Sequence, residues 1–294
     1  MNANLRQRSK ITEWITTVPS LTWLIVFFLI PTLIIFLIAF RPADPYGGVG
    51  KGWTLETVTS IANLNYPAII WRTIWISLLT TVVCIFLAVP TAYYMARLPQ
   101  KWRQTVMLLI IIPFWTSFLI RIFAWKVMLH PEGFIKKILV YVHLIGDDAS
   151  LLYTPAAVII VLVYTYLPFA ILPIYAAAEK FNFNLLEAAR DLGAHSLRAF
   201  FAVFLPNINR GIITAILMVL IPTLGAYVIP DIVGGPNSEM IGNKIAQRTF
   251  VDRNLPQASW LSAVLTLAVL APMLLVLSLQ RRKKDKNIIF TEGL

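Results

Sequence analysis

Charged residues are scarce in this sequence. Asp, Glu, Lys and Arg make up 13% of its 294 residues, whereas hydrophobic residues make up 58%. A water-soluble domain carries about 25% charged residues and could not bury so much apolar surface in one core. The composition therefore excludes an ordinary soluble globular protein and predicts that lipid surrounds most of the chain.

Cysteine and histidine are also rare. Cys84 is the single cysteine, so no disulfide can form within the chain. The three histidines, His130, His143 and His195, are scattered along the sequence. They offer neither a metal-ligand set nor a partner for a nucleophile. We therefore expect no metal site, no catalytic centre and no cofactor bound by this chain.

A glycine-rich segment, residues 47–52, superficially resembles a phosphate-binding loop. Such a loop requires a glycine five places before Gly50 and a serine or threonine after the lysine. Pro45 stands at the first of these positions and Gly52 at the second. We therefore expect that the chain itself does not hydrolyse ATP.

Long apolar runs dominate what remains. A membrane-spanning helix needs about 20 apolar residues, and six stretches meet this requirement: near 19–40, 68–96, 104–129, 153–178, 208–230 and 258–280. They lack the alternation of barrel strands, so the predicted fold is all-α. We expect a six-helix transmembrane domain over residues 19–280, preceded by a segment over 1–18 and followed by a basic tail over 281–294.

Ionisable residues are almost excluded from these spans. Arg121 interrupts the third span, and such an arginine is costly unless it snorkels to the outer end or finds a partner. We expect it to snorkel. No Asp or Glu lies in any predicted span, and the nearest is Asp231. An ion-coupled secondary carrier usually has ionisable residues in mid-membrane, so it is kept only as an alternative.

The net charge of +11 is distributed unevenly among the loops. Fifteen lysines and arginines lie in the two termini and in the second and fourth loops, against eight in the other three loops. The positive-inside rule therefore predicts that both termini are cytoplasmic. Because the basic residues flank spans and accompany no nucleic-acid-binding motif, we expect no nucleic-acid partner.

The longest predicted cytoplasmic loop covers residues 179–210. Its pattern predicts a short helix over Leu185 to Leu192 with Asn184 as its N-cap. Gly193 is placed where a left-handed residue ends a helix, and Ser196 is placed to cap a second helix. We therefore expect a helix-turn-helix beneath the membrane.

The residue types of this loop and their spacing also indicate a function. The spacing of several of its residues resembles the EAA motif of binding-protein-dependent ABC transporter permeases. These residues are Glu187-Ala188-Ala189, Gly193, Val203 and Leu205-Pro206. The resemblance implies a type I ABC importer permease fold, in which the loop enters a groove on a cytoplasmic ATPase. The coupling residues it implies are Glu187, Ala188, Ala189, Gly193, Ala194, Leu205 and Pro206.

Further segments are similar to spermidine/putrescine permeases. They are Pro113 to Arg121, Tyr164 to Phe169, Leu224 to Asp231, Gly234-Gly235, and Met240 to Asn243. The resemblance implies a multi-pass subunit of the bacterial inner membrane that imports polyamines. Its implied partners are cytoplasmic ABC ATPases that use ATP and Mg, a second homologous permease subunit, an extracytoplasmic solute-binding protein and membrane lipid.

A polyamine passage calls for carboxylates and for aromatic faces that attract cations. The predicted pathway residues are Trp115, Thr116, Ser117, Tyr164, Tyr166, Tyr227 and Asp231. The tyrosines and Trp115 are equally consistent with an interfacial belt or with helix packing. Ferric ion, a phosphonate and a sulfur oxyanion stay open as alternative cargoes.

Overall fold

Helix is the regular structure throughout the described chain. The computed structural model describes residue 14 and residues 17–63, 66–146 and 148–292, without the side chains of 60–63, 272 and 275–292. Within these ranges the only β contact is an isolated bridge between Ala43 and Val49. The all-α prediction is confirmed. Most of the predicted N-terminal segment and the last two residues of the predicted tail lie outside the described residues.

The helices follow one another with short connections. In chain order they are α1 Thr17–Ile38, α2 Glu56–Asn63, α3 Tyr66–Arg97, α4 Gln100–Ile111, α5 Phe118–Leu129, α6 Phe134–Tyr141, α7 Pro155–Ala178, α8 Asn184–Asp191, α9 Ser196–Asn207, α10 Asn209–Leu224, α11 Val228–Val233, α12 Ile241–Ala246 and α13 Leu255–Glu292. A 3-10 turn, Ile112–Trp115, extends α4, and a π turn, Phe200–Phe204, lies within α9.

Three helices are long and apolar enough to cross a membrane alone: α1, α3 and α7. They confirm that the stretches predicted near 19–40, 68–96 and 153–178 are helices of the length and composition of a span. Threonine is compatible with a membrane-spanning helix, because its hydroxyl donates a hydrogen bond to a backbone carbonyl one turn earlier. In α3, Thr73 donates in this way to the Ile69 carbonyl at 2.8 Å.

The third predicted span, near 104–129, is bent in the structure, and the sequence analysis did not predict the bend. The helices on the two sides of Thr116 meet at 92°. Pro113 has no backbone N–H to continue the ladder, and Thr116 takes an extended conformation, so the helix ends there. The Thr116 hydroxyl donates to the Pro113 carbonyl at 2.7 Å and closes the turn.

The fifth predicted span, 208–230, also differs from the structure. Helices α9 and α10 meet at 71°, and α10 ends at Leu224. Gly225 is a weak helix former, and Tyr227 leaves the helical region with φ −130°. The residues up to Pro230 therefore begin a separate helix, α11.

The sixth predicted span falls within α13, which continues to Glu292, beyond the predicted end at 280. Its described apolar part, Leu255–Ala271, is shorter than a full span. By length and composition the described helices give three spans, or up to five if each bent pair counts as one. The count of six stays a prediction.

The described residues within 1–66 and 244–266 form one of two compact units. In this unit the Arg248 side chain donates hydrogen bonds to the Tyr66 hydroxyl at 3.0 Å and to the Asp252 carboxylate at 2.7 Å. Burial lowers the pKa of Arg248, but these two partners raise it by more, so the guanidinium stays charged. The Gly48 N–H donates to the Arg253 carbonyl at 2.8 Å and ties the glycine-rich segment to this end of the unit.

The second unit, residues 67–243 and 267–294, is organised around α7. The first half of α7 packs with α5 and α11, with Ile122, Val158 and Ile229 buried between them. Its second half packs with α10, and a Cβ at Gly211 would lie only 2.7 Å from the Cβ of Ala177. Small residues let membrane helices approach closely, which explains the tight α7–α10 contact.

Candidate functional site

The first short helix of the 179–210 loop is α8, Asn184–Asp191. Its predicted N-cap is wrong, because Asn184 is already the first helical residue. The cap position belongs to Phe183, whose side chain forms no capping hydrogen bond. The turn is closed by Asn182, whose Oδ1 accepts a hydrogen bond from the Asn184 N–H at 3.1 Å.

The end of α8 confirms the prediction for Gly193. Its φ is +87°, in the left-handed region that glycine adopts without steric cost. The Gly193 N–H donates to the Arg190 carbonyl at 2.8 Å, and the Ala194 N–H donates to the Ala189 carbonyl at 3.0 Å. This pair of bonds is a Schellman motif, which satisfies two carbonyls at the helix end.

The second helix of the loop is α9. Its predicted cap is wrong as well, because His195 rather than Ser196 occupies the cap position. The His195 Nδ1 accepts a hydrogen bond from the Leu197 N–H at 3.4 Å. Helices α8 and α9 pack against each other, so the predicted helix-turn-helix is confirmed.

The motif residues of this loop differ in their exposure. Glu187, Ala188, Gly193 and Pro206 are exposed, whereas Ala189, Ala194 and Leu205 are half-buried against the unit's core. One part of the motif is therefore free to contact a partner, and the other part fixes the loop to the bundle.

Three large apolar side chains of the same loop are more than half exposed. Leu192 is 90% exposed, Leu197 65% and Phe201 61%. Leu197 and Phe201 are four residues apart on α9, a spacing that places side chains on neighbouring positions of one helix face. We call Leu192, Leu197 and Phe201 the apolar tip of the loop.

A group of rings holds the loop to the end of α3. This aromatic cluster consists of Tyr93, Phe181, Phe183, Phe200 and Phe204. The Phe204 ring centroid lies 4.9 Å from that of Tyr93 and 5.2 Å from that of Phe181, both edge-on, the arrangement that aromatic pairs prefer.

A cation completes the cluster. The Arg97 guanidinium lies 5.4 Å from the Tyr93 ring and 5.7 Å from the Phe183 ring, and it donates to the Tyr93 hydroxyl at 3.0 Å. The sequence analysis missed this cluster. The four-residue spacing of Phe200 and Phe204 was a local signal for it, but nothing local connects either residue to Tyr93.

An ion pair lies where the loop leaves α7. Arg103 Nη1 is 2.8 Å from Glu179 Oε1, which also accepts a hydrogen bond from the Tyr175 hydroxyl at 3.0 Å. Arg103 Nη2 donates to the Ala96 carbonyl at 2.9 Å. The guanidinium therefore joins the end of α3, the start of α4 and the end of α7.

Of the predicted pathway residues, three lie at the 92° bend between α4 and α5. Trp115 is 78% exposed, and Thr116 and Ser117 are exposed as well. Ser117 occupies the N-cap position of α5 but forms no capping hydrogen bond. Its hydroxyl is therefore available to another partner.

The two predicted tyrosines of α7 point in different directions. Positions two apart on an α-helix differ by about 200° around its axis. Tyr164 is exposed and its ring lies edge-on to Trp125 at 5.3 Å, whereas Tyr166 is half-buried with its ring 6.2 Å from Phe169. The structure therefore does not bring these two side chains to one surface.

The last two predicted pathway residues are close in the chain. Tyr227 precedes α11 and Asp231 lies in its first turn, and both are exposed. Asn243 fixes this corner, because its Nδ2 donates to the Tyr227 carbonyl at 3.0 Å and its Oδ1 accepts from the Met240 N–H at 3.1 Å. Helices α5, α7 and α11 pack pairwise, so these residues share one group of helices with Tyr164, whereas Trp115 lies on the turn that extends α4.

Arg121 lies one turn after the bend. Its guanidinium stacks 5.0 Å from the Phe114 ring and 6.0 Å from the Phe118 ring. Its buried Nε has no hydrogen-bond partner among the residues that the structure describes. The cation is therefore held against aromatic faces on both sides of the bend, while its snorkelling stays a prediction.

Comparison with known proteins places the sequence among transport subunits. The family model described as binding-protein-dependent transport system inner membrane component matches residues 88–284. The chain is 38% identical over 252 residues to the spermidine/putrescine transport system permease protein PotB of Haemophilus influenzae, covering 86% of this chain and 88% of the relative. It is 35% identical over 266 residues to PotB of Escherichia coli K12, and this alignment covers 90% of this chain and 96% of the relative.

The fold is also shared with a solved structure. A bacterial ABC transporter involved in the import of the acidic polysaccharide alginate contains a chain that superposes with a TM-score of 0.71 at 17% identity. The superposition covers 96% of this chain and 99% of that one. At this identity the likeness establishes the fold and leaves the transported molecule to other evidence.

Proposed function

We propose that this chain, which belongs to the family of binding-protein-dependent transport system inner membrane components, is the polyamine-conducting permease subunit of an ATP-driven importer. The observation that carries the proposal is the similarity to spermidine/putrescine permeases over 86–90% of the chain. The family consists of transport subunits and is not an ATPase family.

The cargo follows from the sequence relatives and not from the fold. The structural neighbour takes part in the import of an acidic polysaccharide, so the same architecture serves polyanions. Exposed aromatic side chains at Trp115 and Tyr227 and the carboxylate of Asp231 favour a cation here. Ferric ion, a phosphonate and a sulfur oxyanion are the competing cargoes.

The proposed topology has six spans with both termini in the cytoplasm of a bacterium. The five spans that the helices allow, together with α13, give this count, and the excess of lysine and arginine in alternate loops gives the orientation. The 179–210 loop is then cytoplasmic, and the bend at Thr116 lies near the middle of the third predicted span.

The proposed working unit contains two cytoplasmic ABC ATPases, a second permease subunit and an extracytoplasmic solute-binding protein. We assign the exposed Glu187 and Ala188, together with the apolar tip, to the groove of the ATPase. A short helix with an apolar face is suited to a groove of this kind. The half-buried motif residues and the aromatic cluster transmit the movement to α3 and α7, while ATP and Mg²⁺ are used by the partner.

The proposed passage binds its cargo weakly. Of the predicted pathway residues only Asp231 is acidic, and it lies outside α10, the described helix of its span. Weak binding by the permease permits release, and the solute-binding protein supplies selectivity. An ion-coupled secondary carrier is disfavoured, since the family depends on a binding protein.

The test is uptake of radiolabelled spermidine and putrescine into proteoliposomes that contain this chain with its co-purifying partners. We expect saturable uptake that requires both ATP and the binding protein. ATP-dependent transport of one of the competing cargoes, with neither polyamine taken up, would keep the importer and reject the polyamine. Polyamine uptake driven by an ion gradient without ATP would reject the importer.

A further inference from the structure

A basic pocket lies between the end of α7 and the start of α10. Its volume is about 480 Å³, within the range of about 300–1,000 Å³ typical of small-molecule sites. The polar and charged side chains that line it are Lys180, Asn182, Asn207, Arg210 and Thr214. None of the described residues that line it is acidic.

The two cations of the pocket, Lys180 and Arg210, have no partner among the described residues. Among the residues that the structure describes, no hydrogen bond or ion pair reaches the side chain of Lys180 or Arg210. Arg97 and Arg103, by contrast, are engaged by Tyr93 and by Glu179. A positive charge at this end of α7 and α10 is therefore left for an external anion.

The backbone of the pocket also favours an anion. Helix α10 begins at Asn209 without a side-chain cap, and the positive end of a helix dipole favours a negative charge near Arg210. The close contact of Gly211 with Ala177 and Pro173 fixes the separation of the two helices beneath the pocket. The distance between the backbones that carry Lys180 and Arg210 is thereby set by packing.

The remaining wall is apolar. Pro173, Ala176, Ala177 and Gly211 line the side that continues along α7 and α10, the helices of two spans. The Lys180 ammonium, the Arg210 guanidinium and the amides of Asn182 and Asn207 can donate hydrogen bonds to phosphate oxygens. The adjoining apolar wall can pack against a hydrocarbon chain. Basic pockets between transmembrane helices near the cytoplasmic face are suited to anionic lipid headgroups.

We propose that the pocket between α7 and α10 binds a phosphate ester anion through Lys180 and Arg210. The two sources of this chemistry are the headgroup of an anionic phospholipid and a soluble phosphate. Neither source takes part in polyamine selection, so the proposal stands or falls independently of the cargo. Because the pocket adjoins the first residues of the 179–210 loop, its occupant would contact Asn182 and Leu185.

The experiment uses the full transporter in detergent, equilibrated with equal amounts of phosphatidylglycerol and phosphatidylcholine of matched acyl chains. Native mass spectrometry then counts the lipids retained. We expect the double variant Lys180→Gln, Arg210→Gln to lower phosphatidylglycerol retention about tenfold or more, since two charge-assisted contacts are lost. The variant Lys101→Gln removes an exposed cation outside the pocket and should leave retention unchanged.

A charge-preserving pair, Lys180→Arg with Arg210→Lys, keeps the test decisive if the neutral variant does not assemble. It should retain phosphatidylglycerol at a level near that of the wild type. Calorimetry with inorganic phosphate separates the two sources, because heat of binding that the double variant loses indicates a soluble phosphate. Equal retention of both lipids by the wild type, together with no phosphate binding, would overturn the proposal.

Discussion

The Arg103 guanidinium lies 2.8 Å from the Glu179 carboxylate, and this pair connects the first turn of α4 to the residue that ends α7. Both side chains are partly exposed, 24% for Arg103 and 46% for Glu179. A pair in such surroundings contributes only about 0–1 kcal/mol to stability. The pair therefore contributes little to stability, but it fixes the start of the 179–210 loop, which begins at Glu179, to α4.

The first prediction concerns this ion pair. Glu179→Gln keeps the shape of the side chain but removes the charge that holds Arg103. We expect the free energy of unfolding to fall by less than about 1 kcal/mol, while the amount of polyamine transported per ATP hydrolysed falls. The measurement is the ratio of uptake to ATP hydrolysis in proteoliposomes.

The control is a double-mutant cycle with Arg103→Met. If the pair acts as a unit, the double variant should be no worse than Arg103→Met alone, because that change already removes the contact with Glu179 as well as the hydrogen bond to the Ala96 carbonyl. Additive losses in the transport ratio would show that the two side chains act separately.

The second prediction concerns Gly193. Replacing it with alanine forces a Cβ into the left-handed region, which costs about 1–2 kcal/mol. We expect Gly193→Ala to disturb the turn between α8 and α9 and to weaken co-purification of the ATPase. Gly146→Ala is the matched control, because Gly146 has an ordinary φ and a Cβ there would meet nothing within 4 Å. Equal ATPase recovery from both variants would contradict the role of the turn.

The third prediction separates support of the loop from docking. Phe204 is fully buried in the aromatic cluster, so Phe204→Ala should lower stability by about 3–5 kcal/mol. Phe201 is 61% exposed on the same helix, so Phe201→Ala should leave thermal stability nearly unchanged. We expect Phe201→Ala nevertheless to weaken ATPase binding, because it removes one side chain of the apolar tip.

Thermal unfolding and affinity capture of the ATPase, applied to both variants, provide the measurement. A stable Phe201→Ala protein that recruits the ATPase as well as the wild type does would remove the apolar tip from the docking surface. The stability of Phe204→Ala alone would then test whether the aromatic cluster holds the loop in place.

Features set by local sequence were predictable here. Three long helices follow from uninterrupted apolar runs, and the turn after α8 follows from a single glycine, Gly193. Both features depend on residues that are close together in the chain, so the sequence alone contains the information needed to predict them.

Features set by tertiary contacts were not predictable in the same way. Pro113 indicates where a helix can break, but the 92° angle between Gln100–Trp115 and Phe118–Tyr141 also depends on what the helices pack against. The caps at Asn184 and Ser196 were wrong because residues one or two places earlier closed the turns. Tyr93 belongs to the aromatic cluster only because α3 packs beside the loop, and no local pattern contains that information.

The fourth prediction concerns the carboxylate of Asp231. It lies in the first turn of α11, is exposed, and forms no ion pair with the rest of the described chain. Its charge is therefore available to a cation that enters the passage. The trivalent spermidine should feel the loss of this charge more than the divalent putrescine does, because Coulomb attraction scales with the charge of the cargo.

Asp231→Asn should therefore lower the initial rate of spermidine uptake more than that of putrescine, and added salt should diminish the difference by screening. Glu132→Gln serves as the control, since Glu132 is an exposed acid outside the predicted pathway. If Asp231→Asn slows both polyamines equally, the residue acts through the fold of α11 and not through its charge. If it slows neither, Asp231 is not on the path of the cargo, and the attraction of cations must come from the partner permease or the binding protein.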